Sequence, residues 1–469
     1  MSRPEAGSVP ATFARALDAL RAQFSPSSIA VACSGGLDSM VLLQLASAWC
    51  RQHDISLFAF HVHHGLSPNA DAWLAHVEGA AAASKVAVDH RRVQVDRRGA
   101  GLEAAARKLR YRALGEMCRA HGATLLLTAH HLDDQAETVL LQLLRGSGPA
   151  GLSGMDAANS APELLGNPAL VMARPLLPLS RAELEEHARA HALAWVEDES
   201  NSDPRYARNA LRRRVMPALA DAFPGFQQRF ARSAAHAQSA QRLLDELAAQ
   251  DLAASLIDDA VDVSRLRAMS LDRAYNMLRH WFRVRGLAMP STAWLVEMVA
   301  QLLEARHDAQ LLVTHPACHI RRHRDRLYIT PKLADLAGMR DPDDEGVIEK
   351  FGERFTWHGE AQLAFPAYGG VLHFEPAELG FDAAWLRAQP LLIDFRKGGE
   401  RLKLAPNRPT RSLKVHYQAA DIPAWERTRL PIVSANGALL YAAGLGMDCR
   451  HFGSAPAGLV ALRWESGST

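Results

Sequence analysis

At 469 residues the chain exceeds what one compact core accommodates, and about three domains of ordinary size is the expectation. Hydrophobic residues make up 48% and charged residues 22%, with a net charge of +2, the balance of a globular chain that makes no overall demand for a polyanionic partner. The N-terminus lacks a signal-peptide apolar region and no segment approaches the ~20 apolar residues of a membrane helix, so a cytoplasmic protein without a membrane partner is expected.

In chain order, residues 1–145 alternate short apolar runs with longer helical patterns. The runs 28–34 (SIAVACS), 55–62, 88–95 and 123–130 read as strands, and 37–52, 68–85, 102–121 and 132–145 as helices. Such alternation predicts a parallel sheet covered on both faces, with ligands beyond the carboxyl ends of the strands. Residues 146–170 are rich in Gly, Ser, Pro and Ala and read as a loop. A strand-like stub and a helix follow over 174–201, with Ser180 as N-cap and Glu183 as its capping-box partner. From 215 to 310 the pattern is helical throughout, 318–329 reads as a strand pair, 330–380 is mixed, and 390–452 forms a smaller α+β unit. The five cysteines, Cys33, Cys50, Cys118, Cys318 and Cys449, contain no C-x-x-C pair, so neither zinc nor an iron–sulfur cluster nor a disulfide framework is expected.

The chemistry concentrates at strand ends. After the first strand, Ser34-Gly35-Gly36-Leu37-Asp38-Ser39 forms a glycine turn opening a helix. Two glycines allow positive φ and close ligand approach, and the helix start aims free N–H groups at an anion. The Walker lysine and the G-x-G-x-x-G pattern are both absent. Asp38 would repel phosphates unless it holds Mg²⁺, which favours carboxylate and phosphate oxygens together. The plain alternative is a tight turn in which Asp38 merely suits the helix N-terminus.

A second cluster, His130-His131-Leu132-Asp133-Asp134 with Glu137, sets three acids on neighbouring helix positions and leaves Leu132, Ala136, Val139, Leu140 and Leu143 for the buried stripe. These groups can coordinate a metal, orient an amine or accept a proton. Glu103 and Arg107 are four apart, with Tyr111 on the same face, in a structural or an active-site role. The arginines of DPRYARNALRRRV read plainly as a solvated basic helix face, although Arg205, Arg208 and Arg212 are spaced to share one side toward the active site or a nucleic acid. Over 396–429, Arg396, Lys397, Arg401, Lys403, Arg408, Arg411, Lys414, Arg427 and Arg429 face only three acids, a pattern that suits phosphate-backbone contact or solubility. Trp425 and Tyr417 fit core packing better than base stacking.

S-G-G-x-D-S resembles the pyrophosphate loop of the PP-loop ATP pyrophosphatase superfamily. The ordered motifs HVHHGLS (61–67), EAAARKLRY (103–111), AHHLDDQAET (129–138), RPLL (174–177) and DPRYARNALRRRVMP (203–217), with 396–433 and GLGMD (444–448), are similar to those of tRNA(Ile)-lysidine synthetases. His63 and Ser67 depart from the family's usual H-V-N-H-G-L-R. The resemblance implies an α/β protein. A parallel-sheet, Rossmann-like PP-loop catalytic domain would span 1–217, an all-helical tRNA-contacting domain 218–330, and an α+β tRNA-binding domain 331–469.

It implies ATP as substrate with Mg²⁺, bound at Ser34, Gly35, Gly36, Leu37, Asp38 and Ser39, with Asp38 on the metal. Isoleucine tRNA with a CAU anticodon and free L-lysine would be the other substrates, and a homodimer is left open. The wobble cytidine would be adenylated at its C2 oxygen, pyrophosphate would leave into the loop, and the lysine ε-amine would displace AMP to give lysidine. In that scheme Asp133, Asp134 and Glu137 hold the amine and accept its proton. His131 and Arg205 stabilise phosphate charge, and Arg208, Arg212, Arg396, Arg401, Arg411, Lys414, Arg427 and Arg429 contact tRNA. A thiolase of the same superfamily is a second reading, against which the missing cysteine pairs speak. A dinuclear metallohydrolase does not explain the glycine turn, and a non-catalytic nucleotide-binding module does not explain the acidic cluster.

Overall fold

A computed structural model describes residues 7–65, 67–94, 102–197, 207–304, 311–332, 352–454 and 458–467, and divides the chain into two units, Met1–Gln250 and Asp251–Thr469. In chain order the first unit contains α1 (Val9–Phe24), β1 (Ser28–Ala32), α2 (Leu37–His53), β2 (Ser56–His63), α3 (Ala70–Ala83), β3 (Ala87–Arg92) and α4 (Leu102–Ala120). It continues with β4 (Leu125–Leu127), α5 (Leu132–Leu144), α6 (Pro149–Leu152), β5 (Ala158–Ser160), α7 (Pro162–Leu165), β6 (Val171–Ala173) and α8 (Arg181–Ala190). Then come α9 (Ala207–Ala210), a π-helical turn at Leu211–Val215, α10 (Met216–Ala222) and the long α11 (Phe226–Ser255), whose residues from Asp251 on belong to the second unit.

The strands form one sheet in the order β3-β2-β1-β4-β6-β5, parallel except for β5. Period-two alternation distributes its central side chains to both faces. Ile29, Val31, Leu125 and Leu127 join a core with α1, α2 and α8, whereas Ala30, Phe60 and Leu126 pack against Tyr111, Leu114 and Met117 of α4. Burial on both faces explains why β1 and β4 read as continuous apolar runs.

The strands are shorter than the sequence suggests. Thr128 to His131 leave the sheet before the site, so the run 123–130 supplies only β4. The expected loop over 146–170 contains α6, β5 and α7, pieces of three or four residues too short to show a period. The expected stub from 174 is a turn, and its strand, β6, ends one residue earlier. Ser180 caps α8 with Glu183 in a reciprocal capping box.

The second unit opens with β7 (Leu256–Ile257), β8 (Ala260–Asp262), α12 (Val263–Ala268), α13 (Leu271–Val284) and α14 (Thr292–Glu304), followed by β9 (Leu312–Thr314), β10 (Cys318–His323) and β11 (Arg326–Pro331). The middle of the chain is helical as expected but not all-helical. β7 and β8 join the later strands in an antiparallel sheet, β7-β8-β11-β10-β9, over a core built by Met277, Leu278, Trp281 and Phe282 of α13. Two- and three-residue strands inside an Ala/Leu/Arg-rich stretch leave no periodic trace.

The remainder comprises β12 (Glu353–Phe355), β13 (Gln362–Phe365), β14 (Gly370–Asp382), α15 (Ala383–Arg387), β15 (Leu391–Phe395), β16 (Arg401–Leu402), β17 (Arg411–Ser412), α16 (Leu413–Ala419), α17 (Ala424–Arg427), β18 (Pro431–Ala435), β19 (Ala438–Ala442), β20 (Gly446–Met447) and β21 (Leu459–Ser466). Five strands form the sheet β12-β15-β18-β19-β20 and three form β13-β14-β21. Tyr417 is fully buried and its hydroxyl donates to Ala443 O at 3.0 Å, so it is a core residue. Trp425 is half-buried against Tyr328 and His323. Among the described residues no helix is long and apolar enough to cross a membrane.

Candidate active site

The turn expected to hold phosphate lies where β1 gives way to α2. Gly35 has φ +91°, and a Cβ there would stand 2.9 Å from Val196 Cγ2, so geometry and space both require glycine. The Ser39 hydroxyl is buried and turned inward: it accepts from Ser34 N (3.2 Å) and Gly35 N (3.1 Å) and donates to Gly36 O (2.9 Å). Ser39 therefore braces the loop instead of presenting a donor to ligand. Gly36 is the N-cap of α2 and has no side chain, which leaves the first-turn amides without a side-chain cap and directed at the turn.

The acidic cluster stands at the start of α5. His131 is its N-cap, with Nδ1 accepting from Asp134 N (3.4 Å) while Asp134 Oδ2 accepts from His131 N (3.2 Å). A lone pair at Nδ1 puts the ring proton on Nε2, which lies 3.4 Å from Asp134 Oδ2 and 3.7 Å from Asp38 Oδ2. Buried His131 is thus the link between loop and cluster. Burial pushes the Asp38 carboxyl above its ordinary value against the charges of His131 and Arg181, and its Oδ1 is buried without a hydrogen-bond partner.

The other acids are already engaged. Asp133 accepts from Arg181 N (2.8 Å) and Gln227 Nε2 (3.2 Å), which ties α5 to α8 and α11. Glu137, with a side chain 1% exposed, accepts two hydrogen bonds from Arg212 (2.6 and 3.0 Å), and Arg212 also reaches Asp134 Oδ1 at 3.1 Å. Burial raises the Glu137 carboxyl despite Arg212 and Arg208. Asp134, which burial alone would also raise, is held below the usual carboxylate range by His131, His130 and Arg212. Arg208 stands on α9 and Arg212 on the π-helical turn that follows it, and both guanidiniums lie against Glu137. Leu132, Ala136 and Val139 are buried as expected, but Leu143 is 58% exposed and falls outside the stripe.

The basic residues expected to act differ in how far other protein groups engage them. Arg212, assigned to tRNA, is committed to Glu137 and Asp134. Arg205 lies outside the described residues. Arg208 donates to Thr138 Oγ1 at 3.1 Å. His63 meets Asp71 at 3.2 Å beside Arg92, and the Ser67 hydroxyl accepts from Asn69 N at 3.1 Å. In the second unit Arg396, Lys414 and Arg427 line a cavity of about 420 Å³ with Lys397, Gly398, Ala424 and Thr428. Arg401 donates to Thr410 O, and Arg411 is exposed on β17. Arg429, outside that lining, lowers the pKa of Arg321 behind the effect of burial.

Three residues of this neighbourhood escaped the sequence reading: Arg181 and Gln227, which bind Asp133, and Val196, whose N–H donates to Gly35 O at 3.0 Å. A backbone donor, an amide and an aliphatic side chain carry no motif signal.

A parallel sheet whose β1–α2 turn offers uncapped amides to an anion, opposite a carboxylate-rich helix start, defines a PP-loop protein, and a family model described as a PP-loop domain matches residues 10–219. Two further models, a TilS substrate binding domain and a TilS substrate C-terminal domain, match 262–328 and 384–464. The chain is 45% identical over 424 residues to a tRNA(Ile)-lysidine synthase of Ralstonia nicotianae, an alignment covering 90% of this chain and 89% of the relative. It is 44% identical to that of Burkholderia pseudomallei, with 93% of each covered, and 41% identical to that of Alkalilimnicola ehrlichii, again with 93% of each covered. The chain belongs to the tRNA(Ile)-lysidine synthase family.

Proposed function

We propose that this chain ligates lysine to C2 of the wobble cytidine of an isoleucine tRNA with a CAU anticodon, using ATP and releasing AMP and pyrophosphate. The observation that carries the reading is the approach of Asp38 on the loop to His131 and Asp134 on α5, which joins a phosphate-binding turn to an acidic wall. The turn at Ser34–Ser39 takes the β and γ phosphates. Asp38 would hold Mg²⁺: its buried, unpartnered Oδ1 is a hard oxygen donor suited to that ion. Phosphate oxygens and water would complete the shell. Bound there, the ion would offset negative charge on the phosphates during adenylation.

Asp133, Asp134 and Glu137 make the wall toward which a lysine ammonium is drawn, and Asp134 is held ionised by its neighbours. Positioning and charge complementarity supply the rate. His131 holds its proton on Nε2, facing Asp38, and with Arg205 stabilises phosphate charge. RNA phosphates meet Arg208 and the patch of Arg396, Arg401, Arg411, Lys414, Arg427 and Arg429, so that 1–217 performs catalysis while 218–330 and 331–469 hold tRNA. A homodimer is the assembly to test by sedimentation. The deciding assay incubates protein, ATP, Mg²⁺, labelled lysine and this tRNA. Label in the tRNA with stoichiometric AMP is expected, and pyrophosphate release without label transfer would refute the ligation.

A further inference from the structure

Around His130 the fold gathers four guanidiniums, with the carboxylates of Asp134, Asp156 and Glu137 acting among them. Arg107 and Arg110 of α4 lie over the Tyr111 ring, their guanidinium carbons 4.7 and 5.3 Å from its centroid. Arg174 follows β6 and is 7% exposed. Arg208 stands on α9. Burial lowers the pKa of His130 to about 3 against the Asp134 carboxylate, and the charges of Arg174, Arg107 and Arg208 act on it in the same direction as burial. Arg107 also acts on Arg110 and Arg174, and Arg208 on Arg110, which places the guanidiniums in one neighbourhood.

Their polar partners are incomplete. Arg174 Nη1 donates to Asp156 O (2.7 Å) and Asn159 Oδ1 (2.8 Å), but its Nε is buried with no acceptor. Arg208 Nε, 3.6 Å from Glu137 Oε2, is likewise buried without a hydrogen bond. Glu137 is committed to Arg212. Arg107 of the same group is exposed. Buried charges are ordinarily paired or ligand-bound, and guanidiniums match the oxygen geometry of a phosphate.

Location selects the source of that phosphate. The nucleotide turn follows β1, whereas His130 follows β4 and Arg174 follows β6, the next two strands of the sheet. We propose that Arg107, Arg174 and Arg208 form a cradle for one phosphodiester of the RNA substrate, beside the nucleotide being modified. The assignment rests on the RNA-modifying reading above and adds to it the residues that fix the RNA backbone at the reacting centre.

The test measures binding of isoleucine tRNA with a CAU anticodon to the full chain across a potassium chloride series, alongside ATP binding. The variants are Arg107→Gln, Arg107→Lys and, as a control on the same helix, Arg112→Gln, whose side chain is exposed and faces Glu116. Arg107→Gln should weaken tRNA binding about ten-fold and flatten the plot of log affinity against log salt by about 0.7 to 0.9, the share of one phosphate. Arg107→Lys should keep most of the slope, Arg112→Gln should match the parent, and ATP affinity should hold throughout. An unchanged slope in Arg107→Gln overturns the cradle. A loss of ATP affinity with the tRNA slope intact overturns the RNA assignment and gives the phosphate to the nucleotide. Parent protein that fails to bind this tRNA refutes the functional reading itself, and the cradle falls with it.

Discussion

Replacing Arg212 by glutamine isolates the strongest electrostatic link in the site. Glu137 keeps a side chain 1% exposed and loses two hydrogen bonds, and Asp134 loses one. Breaking a fully buried pair by removing one partner costs ~3–5 kcal/mol because the survivor is left uncompensated. The Arg212 side chain is 33% exposed, so water screens part of the interaction and about 2 kcal/mol is the expected loss. The pH dependence follows from Glu137. Burial already sets its folded pKa above the ordinary value, and loss of Arg212 lifts it further. The folded variant then binds a proton that the unfolded chain releases, so the defect is smallest below the ordinary glutamate pKa and grows as pH rises through the folded value. Urea denaturation of the full chain, with Arg212→Gln, Glu137→Gln and the double variant, measures the coupling. A single-variant cost below ~0.5 kcal/mol, as for an exposed pair, or an additive cycle would refute the burial argument.

Asp38→Asn removes the carboxylate beside the phosphates. Pyrophosphate release should disappear while the circular dichroism spectrum and tRNA affinity persist, and retained turnover would remove Asp38 from the mechanism. His187 is 7% exposed and burial, aided by His191, lowers its pKa to about 4. The unfolded chain therefore takes up its proton first, and stability should fall between pH 6.5 and 4 by up to ~3 kcal/mol. His187→Gln should flatten that limb in a pH series of urea midpoints. Gly115 of α4 meets the Leu165 carbonyl of α7 so closely that a Cβ would overlap it. Gly115→Ala should cost about 1–3 kcal/mol of overpacking, read as a lowered melting temperature.

The parts of this fold visible in the sequence are those in which one physical signal dominates. β1 and β4 announced themselves because burial on both faces makes a strand uniformly apolar, and Ser180 because a capping box is local. The turn at Gly35 was legible because positive φ selects the residue type. β7, β8 and β5 were not legible, since two or three residues cannot display alternation. The pairing of Arg212 is illegible for a different reason: a run of arginines reads as a solvated face, and only the tertiary fold brings one of them to a buried glutamate. Asp133, Asp134 and Glu137 lie together on α5 as their spacing predicts, but the partners of Asp133 on other elements (Arg181 and Gln227) depend on tertiary contacts that no local pattern encodes.

Because Ser39 already saturates the Ser34 and Gly35 amides from beneath, the cup keeps its shape whether or not it is filled. On the reading proposed above, nucleotide entry and diphosphate exit then require no refolding of that segment.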